Sequence, residues 1–471
     1  MTLVAGVDSS TQSVKVVVRD AHTGAWVREA RAPHPEGTSV DPTTWWSALQ
    51  SVLKSDTGGF LEGVGAISVA GQQHGMVVLD GNHEVIRPAL LWNDTRSAAA
   101  ALDLVTEMGG PGFWADAVGS VPVAAFTVSK IRWLAQHEPE NAVRVASLML
   151  PHDYLTWLLA GRPAHATTDR GEVSGTGYWS PATGAYREDL VELALGHVPA
   201  LPHVAAPNQV VGETTFGNDR SGIKIGPGTG DNMGAALALD AGPGDIVVSL
   251  GTSGTAFACS LTPAADPSGL VAGFADATGR FLPLVCTLNA ARVLTSTAAM
   301  LGVDFAGLAE LAMAAEPGSG GLVLLPYFDG ERTPNLPDAR GSLHGIARDN
   351  FTPANVARAA MEGMFGGLAD AVDALIAVGV VPGRVLLVGG AAANSAVAEV
   401  AATMFSVPVE VPPPGEYVAD GAARQAAWAL SGAPNPPEWS ALRAGPTKYL
   451  DPSPVPRIRV GYAGARAALF G

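Results

Sequence analysis

The stretch that decides the fold class is Val4-Ala5-Gly6-Val7-Asp8-Ser9-Ser10-Thr11-Gln12-Ser13, which runs on into Val14-Lys15-Val16-Val17-Val18. A later stretch repeats the pattern: Asp245-Ile246-Val247-Val248-Ser249-Leu250-Gly251-Thr252-Ser253-Gly254, followed by Thr255-Ala256-Phe257-Ala258-Cys259. Each predicts an apolar strand, a tight turn of Gly, Ser and Thr, and a second apolar strand. Such a turn points backbone N–H groups and hydroxyls into one small space, which suits phosphate. The duplication therefore predicts a nucleotide bound by two related halves.

The two copies differ at one informative position. When Thr11 is aligned with Thr252, the first copy has Asp8 where the second has Ser249. A carboxylate beside a phosphate site is repulsive unless a divalent cation lies between them, so Asp8 is predicted to bind a metal. The alternative is an Asp that hydrogen-bonds its own turn. Donors that favour the metal–phosphate interpretation follow on Thr11, Gln12, Ser13 and Lys15.

Composition limits the classes of function. The 471 residues exceed what one hydrophobic core usually organises, and 47% of them are hydrophobic while 15% are charged, so we expect two or three folded domains. A net charge of −16 argues against nucleic acid or an anionic membrane as a partner. Two cysteines are too few for a disulfide framework. The start lacks a signal peptide's basic region, and no run is long enough to span a membrane, so we expect a cytoplasmic protein.

The order of predicted elements indicates an α/β fold with the same arrangement in both halves. Three strands, a helix that starts at Asp41-Pro42 and a buried strand at 64–70 open the chain. The second half repeats strands from Ile246, with later helices predicted from Thr352-Pro353 and from Tyr417. We expect the domain boundary near Gly230 to Gly244, which gives an N-terminal domain of residues 1–235 and a C-terminal domain of 236–471.

Asp231 follows a glycine-rich approach, Gly226-Pro227-Gly228-Thr229-Gly230. One interpretation makes it the N-cap of the next helix. The other makes it a general base, because a hydroxyl that attacks a phosphoryl group must lose its proton. The glycines favour the second interpretation, since they let a substrate come close to the backbone.

Polar loops supply groups for a neutral ligand. Gln72-Gln73-His74-Gly75 and Trp92-Asn93-Asp94 offer amides, an imidazole, an aromatic face and a carboxylate, which suit a polyhydroxylated molecule. A turn whose polar residues satisfy the backbone is the alternative. Gly330-Glu331-Arg332-Thr333-Pro334 is interpreted as a solvated turn without a catalytic role. Phosphate-loop, protein-kinase and dinucleotide-binding signatures are absent.

Together these motifs resemble the FGGY family of carbohydrate kinases over essentially the whole chain. The series that carries the resemblance is Gly6-Val7-Asp8-x-x-Thr11, Ala70-Gly71-Gln72-Gln73-His74-Gly75, Leu91-Trp92-Asn93-Asp94, Leu150-Pro151-His152-Asp153-Tyr154-Leu155, Gly230-Asp231-Asn232, Leu250-Gly251-Thr252-Ser253-Gly254, Leu325-Pro326-Tyr327-Phe328-x-Gly330-Glu331-Arg332-Thr333-Pro334 and Gly389-Gly390-x-x-x-Asn394. The resemblance implies two ribonuclease-H-like domains of the actin/hexokinase/Hsp70 type, with a catalytic cleft between them.

The resemblance also implies a role for each matched residue. Asp231 is expected to be the proton acceptor, with Asn232 beside it, and Gln73 and His74 are expected to hold the sugar. Asp8 is expected to organise Mg²⁺. The nucleotide ATP is expected to be bound by Thr11, Gln12, Ser13, Lys15, Gly251, Thr252, Gly389, Gly390 and Asn394.

Two positions depart from the family pattern. Gln73 stands where ketopentose-specific members usually have Met, which makes the pocket wall more polar. Ser10 stands where Gly is usual, and the loop can still form if residue 10 keeps a negative φ. The expected reaction is ATP-dependent phosphorylation of D-xylulose to its 5-phosphate.

Three alternatives remain open from the sequence. Another ketose or polyol such as ribulose or arabinitol would differ only in a hydroxyl's stereochemistry, which pocket shape reads. An actin- or chaperone-like switch would use ATP without a sugar. A sugar sensor would have no need of a base at the transfer point. Assembly as a homodimer also stays open.

Overall fold

The computed structural model describes residues 2–54, 59–215, 222–443 and 445–470. It divides into two compact units. The first takes in the described residues within 1–241, 261–282 and 415–444, and the second those within 242–260, 283–414 and 445–471. Two segments of the sequence's second half thus belong to the first unit. The boundary at residue 235 between two sequence domains stays a prediction.

The strands are, in chain order, β1 (Leu3–Ser9), β2 (Ser13–Asp20), β3 (Trp26–Pro33), β4 (Ser39–Val40), β5 (Val64–Gly71), β6 (Val77–Leu79), β7 (Ala89–Leu90), β8 (Ser147–Met149), β9 (Thr167–Asp169), β10 (Trp179–Ser180), β11 (Ala185–Tyr186), β12 (His203–Ala205), β13 (Gly212–Glu213), β14 (Lys224–Ile225), β15 (Thr229–Gly230), β16 (Asp245–Leu250), β17 (Gly254–Ala258), β18 (Ala272–Ala275), β19 (Phe281–Thr287), β20 (Val323–Leu325), β21 (Ser342–His344), β22 (Arg384–Val388), β23 (Val409–Val411) and β24 (Lys448–Leu450).

The α-helices are α1 (Pro42–Leu53), α2 (Ala98–Glu107), α3 (Pro111–Val118), α4 (Thr127–His137), α5 (Pro139–Ala142), α6 (Pro151–Leu159), α7 (Arg170–Val173), α8 (Glu188–Leu195), α9 (Asp231–Ala238), α10 (Ala291–Leu301), α11 (Phe305–Ala314), α12 (Pro353–Ala377), α13 (Ser395–Met404), α14 (Tyr417–Ser431) and α15 (Pro456–Phe470). Short 3₁₀ helices lie at Ser319–Gly321, Gly390–Ala393 and Ser440–Arg443.

The sheet of the first unit runs in the order β13-β14-β5-β1-β2-β3. β1 pairs antiparallel with β2 and parallel with β5. Successive residues of β1 point to opposite faces, so Ala5 and Val7 join a cluster that includes Trp45 of α1, while Val4 meets Ala423 of α14. Helices therefore cover both faces of the central strand, which explains why β1 is apolar almost throughout.

Close packing of α14 depends on a glycine in β1. A Cβ built on Gly6 would lie 2.0 Å from the carbonyl oxygen of Ala419 and 2.3 Å from the backbone nitrogen of Ala423. Only a residue without a side chain lets the helix backbone approach the strand this closely.

The second unit repeats the connectivity of the first. β16 pairs antiparallel with β17 and parallel with β22, as β1 pairs with β2 and β5. β17 in turn pairs with residues 284–287 of β19, as β2 pairs with β3. The structural duplication predicted from the two stretches is confirmed.

Several local predictions are also confirmed. Asp41 caps α1 by accepting from the backbone nitrogen of Thr43, and Pro42 is the first helical residue. Thr352 caps α12 through its side chain. α14 begins at Tyr417, as predicted from its run of small residues. Among the described residues no single helix is long and apolar enough to cross a membrane, although α10 and α11, bent by 87°, reach that length and apolarity together.

Candidate active site

The first predicted phosphate loop lies between β1 and β2. Ser10 closes it, because its backbone nitrogen and its hydroxyl both donate to the carbonyl oxygen of Ser13 at 3.0 Å. Ser10 is not among the residues with positive φ, so replacing the usual glycine leaves this turn without backbone strain. The Thr11 hydroxyl donates to Gln72 Oε1 at 3.2 Å and accepts from Trp92 Nε1 at 2.9 Å. The loop is thus tied to the two polar loops singled out in the sequence.

Asp8 is the last residue but one of β1. Its Oδ1 atom is buried and has no hydrogen-bond partner among the described residues. Desolvation, assisted by the nearby charge of Asp231, raises the pKa of Asp8 to about 7 despite the opposing charge of Lys15. A hard divalent cation would supply the missing compensation, so the residue fits Mg²⁺. Within the part of the chain that the structure describes, no group of three or more His, Cys, Asp or Glu could hold a metal.

Lys15 lies farther along β2 and is engaged elsewhere. Its ammonium group pairs with Glu416, which immediately precedes α14. A role in nucleotide binding would require it to exchange this partner, and that role stays a prediction.

Asp231 is the first residue of α9, at the end of the glycine-rich approach. The N-cap of α9 is Gly230 and no side chain caps it, so the N-cap interpretation of Asp231 is wrong. Its Oδ1 instead accepts from the Asn232 backbone nitrogen at 2.7 Å and from Asn232 Nδ2 at 2.8 Å. Desolvation outweighs these bonds and raises the pKa of Asp231 to about 6.

The predicted sugar loop lies beside Asp231. Asn232 Nδ2 also donates to Gln73 Oε1 at 2.9 Å, so one amide links the candidate base to that loop. The next residue, His74, has its ring 4.9 Å from the Phe126 ring and 5.6 Å from the Phe274 ring, measured between centroids. The structure therefore brings together Gln73, His74, Asp231 and Asn232, as expected.

The Asp94 carboxylate, a candidate ligand group in the sequence, is occupied by structural contacts. It is buried, accepts from Thr38 Oγ1 at 2.8 Å and pairs with Arg96 at 2.8 Å. These bonds anchor the loop whose Trp92 contacts Thr11.

Sequence reasoning missed Glu172 and Lys130. Both are fully buried, and both hydrogen-bond to the backbone of His74. Nothing local distinguishes Glu172 from the other polar residues around it. Lys130 does carry a signal, because on α4 it lies on the same face as Thr127, Ile131 and Leu134, all of which are buried.

The second predicted phosphate loop lies between β16 and β17, where Gly251 and Thr252 are exposed. Gly389 comes close to the end of β16: its φ is +98°, and a Cβ there would lie 2.5 Å from the Leu250 carbonyl oxygen. Gly389 and Gly390 are exposed, and Asn394 caps α13 by accepting from the Ala396 backbone nitrogen. Two of the predicted nucleotide loops thus meet within the second unit.

The prediction of a solvated turn around Glu331 is wrong. The turn around it is not solvated, because Glu331 is only 3% exposed and Thr333 is 6% exposed. The Glu331 carboxylate accepts from the Leu288 backbone nitrogen at 2.7 Å, from Asn289 Nδ2 at 2.9 Å and from its neighbour's backbone nitrogen at 2.8 Å. Its role is to organise the loop between β19 and α10.

Comparison with known proteins identifies the family of these features. The N-terminal domain model of the FGGY family of carbohydrate kinases matches residues 3–238, and its C-terminal domain model matches residues 246–430. The chain is 46% identical to a xylulose kinase of Streptomyces coelicolor over 438 residues, which are 91% of this chain and 88% of that protein. A xylulose kinase of Streptomyces rubiginosus is also 46% identical, over 91% of this chain and 88% of that protein.

A solved structure gives the same answer for the fold. The crystal structure of xylulose kinase from Bifidobacterium adolescentis matches with a TM-score of 0.90 and 42% identity, covering 99% of each chain. The two-unit α/β architecture is therefore that of the FGGY kinases. The chain belongs to the FGGY family of carbohydrate kinases.

Proposed function

We propose that this protein transfers the γ-phosphoryl group of ATP to the terminal hydroxyl of D-xylulose, giving D-xylulose 5-phosphate and ADP. The sugar oxygen forms a bond to the γ-phosphorus, the bond from that phosphorus to the bridging oxygen of ADP breaks, and the hydroxyl proton passes to a base. The relatives named as xylulose kinases support this substrate.

The observation that carries the proposal is the arrangement around Asp231. Both hydrogen bonds from Asn232 fall on Oδ1, so Oδ2 is the oxygen that Asn232 leaves for the proton. The pKa near 6 makes the carboxylate a better proton acceptor than an ordinary Asp while leaving it mostly ionised at pH 7. Gln73 and His74 lie next to it, where a sugar hydroxyl has to be held.

Asp8 is proposed to hold Mg²⁺, because a hard divalent cation prefers carboxylate oxygens. The metal would neutralise charge that develops on the transferring phosphoryl group. Asp8 would otherwise repel the nucleotide, so its unpartnered Oδ1 supports this role.

The remaining predicted nucleotide ligands are proposed to act mainly through backbone groups. Thr11, Gln12 and Ser13 would bind terminal phosphates, as would Gly251 and Thr252, because tight turns of this kind present N–H groups to an anion. Gly389, Gly390 and Asn394 would contact the adenosine portion. A homodimeric assembly and a cytoplasmic location also stay predictions.

Gln73 is the feature that favours a second candidate sugar. Its Oε1 accepts from Asn232, and its Nε2 is buried without a hydrogen-bond partner among the described residues. A substrate hydroxyl would satisfy that donor, and ribulose or arabinitol would present hydroxyls of different stereochemistry to it.

Sugar-dependent ADP release, measured with MgATP and a panel of pentuloses and pentitols, tests the proposal. We expect D-xylulose to give the highest kcat/KM, and phosphate at the terminal carbon of the product by NMR. A higher kcat/KM for ribulose or arabinitol would reassign the substrate. ATP turnover that no sugar stimulates would overturn the proposal and favour an ATP-driven switch.

A further inference from the structure

His74 adopts a backbone conformation that its side chain disfavours. Its φ is +68°, in the left-handed region, where a residue with a Cβ pays a steric cost that glycine avoids. The residue that follows is Gly75, yet the left-handed position is occupied by the histidine. Such a conformation persists only where the surroundings hold it, and it often marks a functional site.

Two deeply buried side chains hold the backbone of His74 from both sides. Its N–H donates to Glu172 Oε1 at 3.2 Å, and its carbonyl oxygen accepts from Lys130 Nζ at 2.7 Å. The Thr127 hydroxyl adds a longer bond to the same carbonyl at 3.3 Å. A second bond from Lys130 Nζ, to the Ala125 carbonyl oxygen at 2.6 Å, fixes the ammonium group in place.

The imidazole is oriented at the same time. Its Nδ1 lies 2.7 Å from the carbonyl oxygen of Gly175, and a carbonyl can only accept, so Nδ1 carries the hydrogen. In the neutral ring Nε2 is then the acceptor nitrogen, which suits a sugar hydroxyl. Glycine at position 175 leaves room for the His74 ring. A Cβ there would lie 2.6 Å from the ring and would clash with it.

Burying these two groups is costly for the fold. Lys130 and Glu172 are each 0% exposed, and lysine and glutamate are rarely buried so completely. Burial lowers the pKa of Lys130 to about 7, and it raises the pKa of Glu172 well above the usual value. Replacing such buried groups by apolar residues of similar size often makes a protein more stable. The stability of the fold therefore does not explain why Lys130 and Glu172 are present.

Glu172 also reaches toward the candidate base. Its Oε2 has no hydrogen-bond partner among the described residues, and a Cβ built on Gly230 would lie 2.6 Å from it. Gly230 immediately precedes Asp231. The same carboxyl group therefore contacts the backbone of the sugar loop and packs against the start of α9.

We infer that Glu172 and Lys130 are positioning residues that hold His74 in its left-handed conformation and so set the position of its ring for the sugar. This inference deepens the proposed function and rests on it for the role of His74. Neither residue is assigned to touch the sugar or the nucleotide. Their effect reaches the substrate through the His74 backbone.

The test compares two substitutions at residue 172 that both remove the carboxyl group. Glu172→Leu removes the acceptor for the His74 N–H, whereas Glu172→Gln keeps a carbonyl oxygen in that place. We expect Glu172→Leu and Lys130→Met to raise the sugar KM about tenfold, the effect of losing one such buried bond, with the ATP KM changed less than about twofold. Glu172→Gln is expected to restore the sugar KM to within about threefold of the wild type.

A matched control separates positioning from a general loss of stability. Ile131→Val removes a methylene next to Lys130 on α4, at a fully buried position, and is expected to leave the sugar KM unchanged. If Glu172→Leu and Lys130→Met fold as well as this control but keep the wild-type sugar KM, the inference is wrong. If these two variants do not fold, Thr127→Val provides the test, because it removes only the longer bond to the His74 carbonyl oxygen. It is expected to raise the sugar KM about twofold, and an unchanged sugar KM would contradict the inference.

Amide hydrogen exchange gives a readout that does not depend on activity. The segment 72–76 is expected to exchange faster in Glu172→Leu and Lys130→Met than in the wild type, Glu172→Gln or Ile131→Val. Unchanged exchange in both variants would overturn the inference even if the enzyme is active. The two proposals can fail separately. If the wild-type protein phosphorylates no sugar but the variants show the expected differences in exchange, the proposed function is wrong and the positioning of His74 still holds.

Discussion

Asn232 Nδ2 donates to Gln73 Oε1 at 2.9 Å and to Asp231 Oδ1 at 2.8 Å, so one side-chain amide holds the candidate sugar loop and the candidate base in register. Gln73, one of the two positions that depart from the family pattern, makes this contact. Its polarity therefore has a structural use in this chain beyond any contact with a sugar.

A double-mutant cycle between Gln73→Met and Asn232→Leu measures this contact. Each single change is expected to raise the sugar KM, and the coupling free energy is expected to be about 0.5–1.5 kcal/mol, the usual worth of one hydrogen bond. The control cycle pairs Gln73→Met with Asn82→Ala, at an exposed position, and should give no coupling. Additive effects in the first cycle would mean that the two residues act independently.

Activity is expected to fall at acid pH because of Asp231. The pKa of its carboxyl is raised to about 6, mainly by desolvation, and only the ionised form can accept the hydroxyl proton. With MgATP saturating, so that bound metal would keep Asp8 ionised, the value of kcat/KM for the sugar should therefore drop tenfold for each pH unit below about 6. Asp231→Asn should lower kcat by about 10²–10⁴-fold. Near-normal sugar-dependent ADP release by that variant would exclude Asp231 as the base.

The ionised carboxylate of Asp8 is expected to lower the stability of the protein when no metal is bound. Its pKa is raised to about 7, so the folded state holds the proton more tightly than the unfolded state, and stability falls as the pH rises from about 4 to about 7. Asp8→Asn removes this penalty and should raise the Tm, by about 2–4 °C for each kcal/mol recovered.

Thermal unfolding without nucleotide or metal checks the sign of the Asp8 effect. The gain in Tm of Asp8→Asn over the wild type should be larger at pH 8 than at pH 5, because the penalty is complete only above the folded-state pKa. The kcat of phosphoryl transfer by the same variant should fall about 10²-fold or more. A Tm of Asp8→Asn below that of the wild type at pH 8 would contradict this prediction, because it would mean that the ionised Asp8 stabilises the folded state.

Gly6 is predicted to be essential for packing α14 against β1. Gly6→Ala would place a methyl group 2.0 Å from the Ala419 carbonyl oxygen, so helix and strand must separate, at a cost of about 1–3 kcal/mol or more in the free energy of unfolding. Gly81→Ala is the matched control, since a Cβ there meets nothing within 4 Å. Equal stability of the two variants in denaturant would contradict the close approach.

Local features of the fold were predictable because their causes lie in adjacent residues. The duplicated hairpins, the Asp41 cap of α1 and the start of α12 all follow from turn chemistry and strand periodicity. The gathering of Gln73, His74, Asp231 and Asn232 follows from the family resemblance. Gln73 and His74 lie in the loop after β5, and Asp231 and Asn232 are the first two residues of α9.

By itself, the sequence determined the two strand–turn–strand repeats, their unequal Asp8 and Ser249, and the family. Only the tertiary structure decided that α14, far along the chain, covers β1, that Glu331 is buried and that Glu172 and Lys130 converge on His74. The physical reason is that strands and caps depend on neighbours in sequence. The partner of a buried charge depends instead on which distant elements pack together, and no local pattern encodes that partner.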